Sequence, residues 1–176
     1  MNRRRMLHAL KAAQETGDYE DAAVLHEAVD PQIYLSRNHL PQPFHLICSK
    51  DTVLTQLSGG AHLTLRDSSV NSFRMTVGDI VYMPAGTPHR IVPTEEGVCL
   101  RYMPLAAGMI GAVWYCPGCD AELWRHEWEH SNDSPAAGFY ADACSRFNAD
   151  PGRTCGKCGA DHPAVDLAAY GWQQAD

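Results

Sequence analysis

Two short cysteine pairs, Cys116-Pro-Gly-Cys119 and Cys155-Gly-Lys-Cys158, stand 35 residues apart and constrain this chain more than any other feature. Each pair sets two thiolates on one side of a tight turn, where Gly118, Gly156 and Gly159 ease the backbone. Facing each other, the two turns complete a tetrahedral set of four sulfurs, suited to zinc or to a single iron ion. A redox pair is the other use of such a turn, but two glycine-bearing knuckles argue for metal. Thiolates at all four positions leave no open coordination place, so the expected role is structural. Zinc and iron accept the same ligands and geometry, and both stay open. Cys48, Cys99 and Cys144 have no comparable spacing and are read mostly as ordinary buried thiols. Seven cysteines, an odd number, suit a reduced cytoplasmic protein better than a disulfide framework.

The rest of the composition narrows the class. A net charge of -7, with Arg3, Arg4 and Arg5 as the only basic cluster, speaks against a nucleic-acid partner. No apolar run approaches the roughly 20 residues of a membrane span. Lys11, Gln14 and Glu15 interrupt any signal-peptide core at the N-terminus. Hydrophobic residues make up 45% of the chain, enough for a real core.

Residues 3–15 are rich in helix formers, and a second helix is expected near Tyr19–Val29 with Asp18 as N-cap. Beyond Pro31 the pattern turns to β. Strands are expected at Ile33–Ser36, Val53–Leu57, Ala61–Leu65, Ser72–Thr76, Ile80–Met83, His89–Val92 and Val98–Tyr102. Their spacing of about ten residues, punctuated by Gly, Pro and Asp, predicts an all-β sandwich or barrel. Glycine-bearing segments at 104–111 and 131–138 separate these strands from the cysteine region. The expected organisation is an N-terminal helical segment (1–30), a barrel core (31–111), a small four-cysteine subdomain (112–163) and a tail (164–176).

Residues 78–89, Gly78-Asp-Ile-Val-Tyr-Met-Pro84-Ala-Gly86-Thr-Pro-His89, resemble the second conserved motif of the cupin barrel, a double-sheet jelly roll. In that family the motif's histidine ligates a metal, which the resemblance assigns to His89. The first cupin motif is weaker: counting back from Gly59 puts Thr52 at the place of the family's glutamate, and Asp51 stands next door. His45, Asp51 and His89 would then form the two-histidine, one-carboxylate triad of non-haem Fe(II) oxygenases. A one-residue offset reverses the face of a strand side chain unless a bulge absorbs it. The alternative is that Asp51 is a solvated turn residue and the barrel has lost its metal. His39 and His62 are lesser candidates.

A cupin barrel followed by two CxxC knuckles resembles the bacterial 3-hydroxyanthranilate 3,4-dioxygenases. Gln56–Leu63, Trp114-Tyr115-Cys116, Gly138–Ala141 and Cys158-Gly159 with His162-Pro163 carry the likeness. The resemblance implies a ferrous ion that gathers O2 and a small aromatic substrate for ring cleavage, and a homodimer is expected. It also implies two arginines gripping the substrate carboxylate and a glutamate handling a proton. Those places read Leu40, Pro93 and, near the glutamate, Leu100. Arg90 and Arg101 stand close by as substitutes; without them a neutral aromatic is expected to be preferred. Three readings stay open: a ring-cleaving dioxygenase, a metal-dependent cupin with another reaction, and a non-catalytic barrel without metal.

Overall fold

The computed structural model describes residues 6–66, 69–131 and 134–172. Nine strands form one antiparallel sheet: β1 (Ala22–Ala23), β2 (Gln32–Asn38), β3 (His45–Cys48), β4 (Thr52–Leu65), β5 (Ser72–Met75), β6 (Ile80–Met83), β7 (His89–Met103), β8 (Met109–Tyr115) and β9 (Glu122–Glu129). One path through the sheet runs β1-β2-β7-β3-β8-β9, while β4 joins β7 to β5 and β6. Two helices flank it, α1 (Ala9–Ala13) and α2 (Ala136–Ala149).

Two long strands make the sheet close on itself. β4 and β7 pair along most of their lengths, and each also serves different partners with its two halves. The first half of β4 pairs with β6 and its second half with β5. The end of β7 pairs with β2, and its start meets β3 at Leu46 and His89. Register shifts between Gln56 and Ala61 bend the pair where Gly59 and Gly97 cross. A Cβ on Gly59 would lie 2.3 Å from the Glu96 carbonyl oxygen, and one on Gly97 2.4 Å from that of Ser58. Only glycine lets the backbones approach this closely. The result is a cupin barrel, with its cysteine cluster toward the C-terminus.

Side chains alternate across the wall. Tyr34, Ser36, Leu54, Cys99, Arg101 and Met103 are buried on the inner face, while Leu35 and Val98 pack outward with Ala13 of α1. β9 alternates as well, burying Trp128, and Trp124 and His126 in part, between exposed Arg125, Glu127 and Glu129. α2 lies over this row. Its buried residues Tyr140, Ala143, Cys144 and Phe147 recur at helical spacing, and Phe147 stacks on Trp114 at 4.4 Å between centroids. Phe139 stacks on Trp128 at 5.7 Å, so an aromatic layer stoppers the barrel.

Several expectations change. Val53–Leu57 and Ala61–Leu65 are halves of one strand, as are His89–Val92 and Val98–Tyr102, because the bends keep the ladders intact through Gly59 and Gly97. Residues 19–29 contain no helix: Tyr19 and Asp21 adopt left-handed backbone (φ 52 and 47), and Ala22–Ala23 pairs with β2 instead. The first helix spans Ala9–Ala13, and Arg3, Arg4 and Arg5 lie outside the described residues, as do 173–176 of the tail. β8 and β9 carry the sheet across residue 112. Among the described residues no helix is long and apolar enough to cross a membrane.

Candidate functional site

The cysteine cluster assembles as its spacing suggests. Cys116 and Cys119 flank the turn after β8; Cys155 and Cys158 flank a turn after the 3-10 turn Pro151–Arg153. Sulfurs of Cys116 and Cys158 lie 3.4 Å apart, those of Cys119 and Cys155 3.6 Å. Tetrahedral zinc with sulfurs at about 2.3 Å would space them by roughly 3.8 Å, so the set can hold one ion. The knuckle amides turn inward: Gly118 N–H donates to Cys116 Sγ and Lys157 N–H to Cys155 Sγ. Amide hydrogen bonds from Cys158 and Lys157 pull the Cys155 thiol down to about 6, while the close sulfurs hold Cys119 and Cys158 up, so these thiols titrate as one cluster. Among the described residues this is the one group of three or more His, Cys, Asp or Glu with ligand atoms all within 4.8 Å.

His45, Asp51 and His89 do not gather in this way. Leu46 of β3 sits directly opposite His89, so those two share a face, and His45, one residue earlier, points to the other. There His45 meets the Tyr115 ring edge-on at 5.0 Å. Asp51 precedes the regular start of β4 and is exposed, its Oδ1 accepting from Ala85 N–H at 2.8 Å. Thr52 takes the inward place, 2% exposed, and no bulge lies near enough to bring Asp51 round. His39 and His62 are both exposed.

The inward group facing His89 is a cation. Arg101 Nη1 donates to His89 Nε2 at 2.9 Å, and His89 Nδ1 meets the Thr87 carbonyl at 3.0 Å. The ring's one lone pair, the one a metal would use, therefore points at the guanidinium. Burial, and then the Arg101 charge, push His89 down to about 3 and keep it neutral. Among the described residues no three His, Cys, Asp or Glu ligand atoms gather around His89, and its free nitrogen faces a guanidinium, so the residues present do not fit a barrel iron.

Arg101 is 3% exposed and forms no ion pair with a carboxylate among the described residues. Its Nε is buried without a hydrogen-bond partner. Arg101 lines an inner cavity of ≈ 20 Å³ with Asp21, Tyr34, Trp128, Phe139 and Tyr140. That volume takes one water-sized group. Asp21, Tyr34 and His130 also line a recess of ≈ 310 Å³ outside it. Tyr34 and His130 are joined there by a 2.8 Å hydrogen bond. Arg90 lies on the opposite face of β7 from His89, its Nε donating to the Gln42 carbonyl. Leu100 packs outward near α1.

Two residues of this cavity escaped the sequence. Asp21 falls in a stretch that reads as helix and carries no local signal. His130 continues the inward alternation of Trp124, His126 and Trp128, a pattern that would have found it. Left-handed backbone at non-glycine Tyr19 and Asp21 costs on the order of 1–3 kcal/mol each. The segment is held by Tyr19 Oη donating to the Leu40 carbonyl and Ala136 N–H donating to the Glu20 carbonyl.

No family model matches the chain, and no curated protein does. Among solved structures, a hydroquinone 1,2-dioxygenase from a Sphingomonas species is similar over 57% of this chain and 76% of its own, with 14% identity and a TM-score of 0.49. A cupin-2 domain protein from Shewanella frigidimarina is similar over 57% of this chain and 94% of its own, with 17% identity and a TM-score of 0.48. A salicylate 1,2-dioxygenase from Pseudoaminobacter salicylatoxidans is similar over 42% of this chain and 19% of its own, with 12% identity and a TM-score of 0.37.

Proposed function

We propose that the protein binds a small organic anion of aromatic size at the barrel mouth, through Arg101, and that the barrel works without a metal ion of its own. The observation that carries this reading is the buried, unpaired guanidinium lining a cavity. Arg101 is removed from water with a neutral imidazole as a hydrogen-bond partner and with Asp21 attracting it only through space, so an entering carboxylate or similar anion would add the direct counter-charge it lacks. The charge-assisted hydrogen bond so formed would engage the orphaned Nε. The inner cavity takes the anionic group alone, and Tyr34 and His130 in the wider outer recess give a flat ring something to lie against. His89 acts on Arg101 rather than on the ligand: its neutral ring accepts from Nη1 and fixes the direction of the guanidinium. The preference for a neutral aromatic that the sequence suggested is thereby reversed, since Arg101 supplies the charge missing at Leu40 and Pro93. The four-cysteine cluster is assigned a structural metal, iron or zinc.

A ring-cleaving, Fe(II)-dependent dioxygenase related to the 3-hydroxyanthranilate enzymes is the second reading. It is favoured by the contact of His89 Nδ1 with Thr87, which leaves Nε2 directed inward as in a ligating histidine. It requires Arg101 to leave that nitrogen and further ligands to reach it. Calorimetric titration of the full chain with phenylacetate separates the two. Saturable binding, unchanged by added Fe(II) and lost in Arg101→Met, is expected. Binding that survives Arg101→Met would overturn the anion reading. Oxygen uptake with 3-hydroxyanthranilate, 2-aminophenol or catechol that depends on Fe(II) would establish the second.

A further inference from the structure

We infer that Asp21 is a second anchor of this site and that the ligand is an organic acid carrying a hydroxyl or ammonium donor beside its anionic group. This rests on the anion reading of Arg101 and narrows it. Asp21 is 9% exposed and lines both the inner cavity and the outer recess. Its Oδ2 accepts the Tyr140 hydroxyl at 2.7 Å, whereas Oδ1 is buried with no partner. A carboxylate oxygen only accepts hydrogen bonds, so the group that completes Oδ1 must be a donor.

Two side chains that line the same cavity thus carry unsatisfied and opposite demands, an acceptor for Arg101 Nε and a donor for Asp21 Oδ1. The two side chains attract one another without forming an ion pair, so they do not satisfy each other directly. A molecule with an anion and a neighbouring donor meets both at once, while a plain carboxylate meets one. The backbone supports this placement: left-handed Asp21 is fixed between β2, through the pairing of Ala22 with Leu35, and the start of α2, through the Glu20 carbonyl. The inner cavity admits only one small group, so the body of the ligand occupies the outer recess.

Three probes share one skeleton and differ in the donor alone: phenylacetate has none, mandelate has a hydroxyl and phenylglycine an ammonium. Calorimetric titration of the wild-type full chain should show mandelate or phenylglycine binding on the order of tenfold more tightly than phenylacetate, and which of the two leads identifies the donor. Asp21→Leu, which removes the acceptor, should bring that ratio close to one, whatever the change in phenylacetate affinity that loss of the Asp21 charge beside Arg101 brings. Equal wild-type affinities for all three would mean that a bound water satisfies Oδ1, and would overturn the role of Asp21 with the Arg101 site intact. Binding of none of them would overturn the anion reading itself. Should Asp21→Leu fail to fold, the wild-type ratio decides alone.

Discussion

His89 faces the Arg101 guanidinium with Nε2 and the Thr87 carbonyl with Nδ1, so a proton added to its ring would set one buried cation against another. His45, on the other face of the wall, is pushed down to about 3 as well, by burial and then by the charges of Arg66 and Arg90. In the unfolded chain both rings titrate near 6.5. Below about pH 6.5 the unfolded chain therefore takes up protons that the folded one refuses, and stability falls as the pH drops toward 3. The loss is up to about 1.4 kcal/mol per pH unit for each ring, and above pH 6.5 neither contributes. His45→Phe keeps a ring against Tyr115 and removes the titration. Urea midpoints measured from pH 7 to 4.5 should fall less steeply in this variant, by the equivalent of one proton. Identical slopes would mean that His45 is not held neutral. The parity that separates these histidines was legible from the sequence as a rule about strands. Which residue of each pair faces inward was not, because that depends on the register of β3 against β7.

At the scale of elements, the crossing of β4 and β7 is the feature with least room to change. A methyl group on Gly97 would meet the Ser58 carbonyl oxygen at 2.4 Å and Gln56 Nε2 at 2.7 Å, and the first is backbone that cannot swing aside. Gly97→Ala should cost about 2–3 kcal/mol and lower Tm by on the order of 5–10 °C. Gly138, in the first turn of α2, has nothing within 4 Å of an added Cβ. Gly138→Ala should instead raise stability by about 0.5–1 kcal/mol, and a pair of thermal melts compares the two. A Gly97→Ala protein as stable as wild type would show that the strands can separate at the bend. Alternation made the short strands readable, Ile80–Met83 to the residue. It could not show that β4 and β7 continue through their glycines, since a glycine pair in a strand pattern also reads as a turn. α2 was hidden because Pro135 and Gly138 punctuate its start, and the Tyr19–Val29 stretch misled because good helix propensity yields to pairing with β2.

For the molecule as a whole, the number of metal ions expected to stay with one chain follows from the anion reading. The four cysteines were legible because each knuckle is local: two ligands come from four consecutive residues, and the fold has only to bring two turns together. The barrel triad needed three separate strand ends to agree in register and face, and they do not. Two ions per chain were the natural expectation for an iron cupin with an added cysteine site; the anion reading proposed above leads to one. Elemental analysis of the purified full chain should find about one equivalent of iron or zinc. His89→Ala should leave that equivalent in place, since the ring bonds a guanidinium, and Cys155→Ser should release it and lower Tm, because metal-binding free energy is in part folding free energy. Visible absorption of the ferric-thiolate kind would mark the ion as iron, and a colourless protein as zinc, with the count unchanged. A second equivalent that disappears in His89→Ala would mean that Arg101 gives way to a metal in solution. The anion reading of the barrel would then fall, and the ring-cleaving reading would take its place.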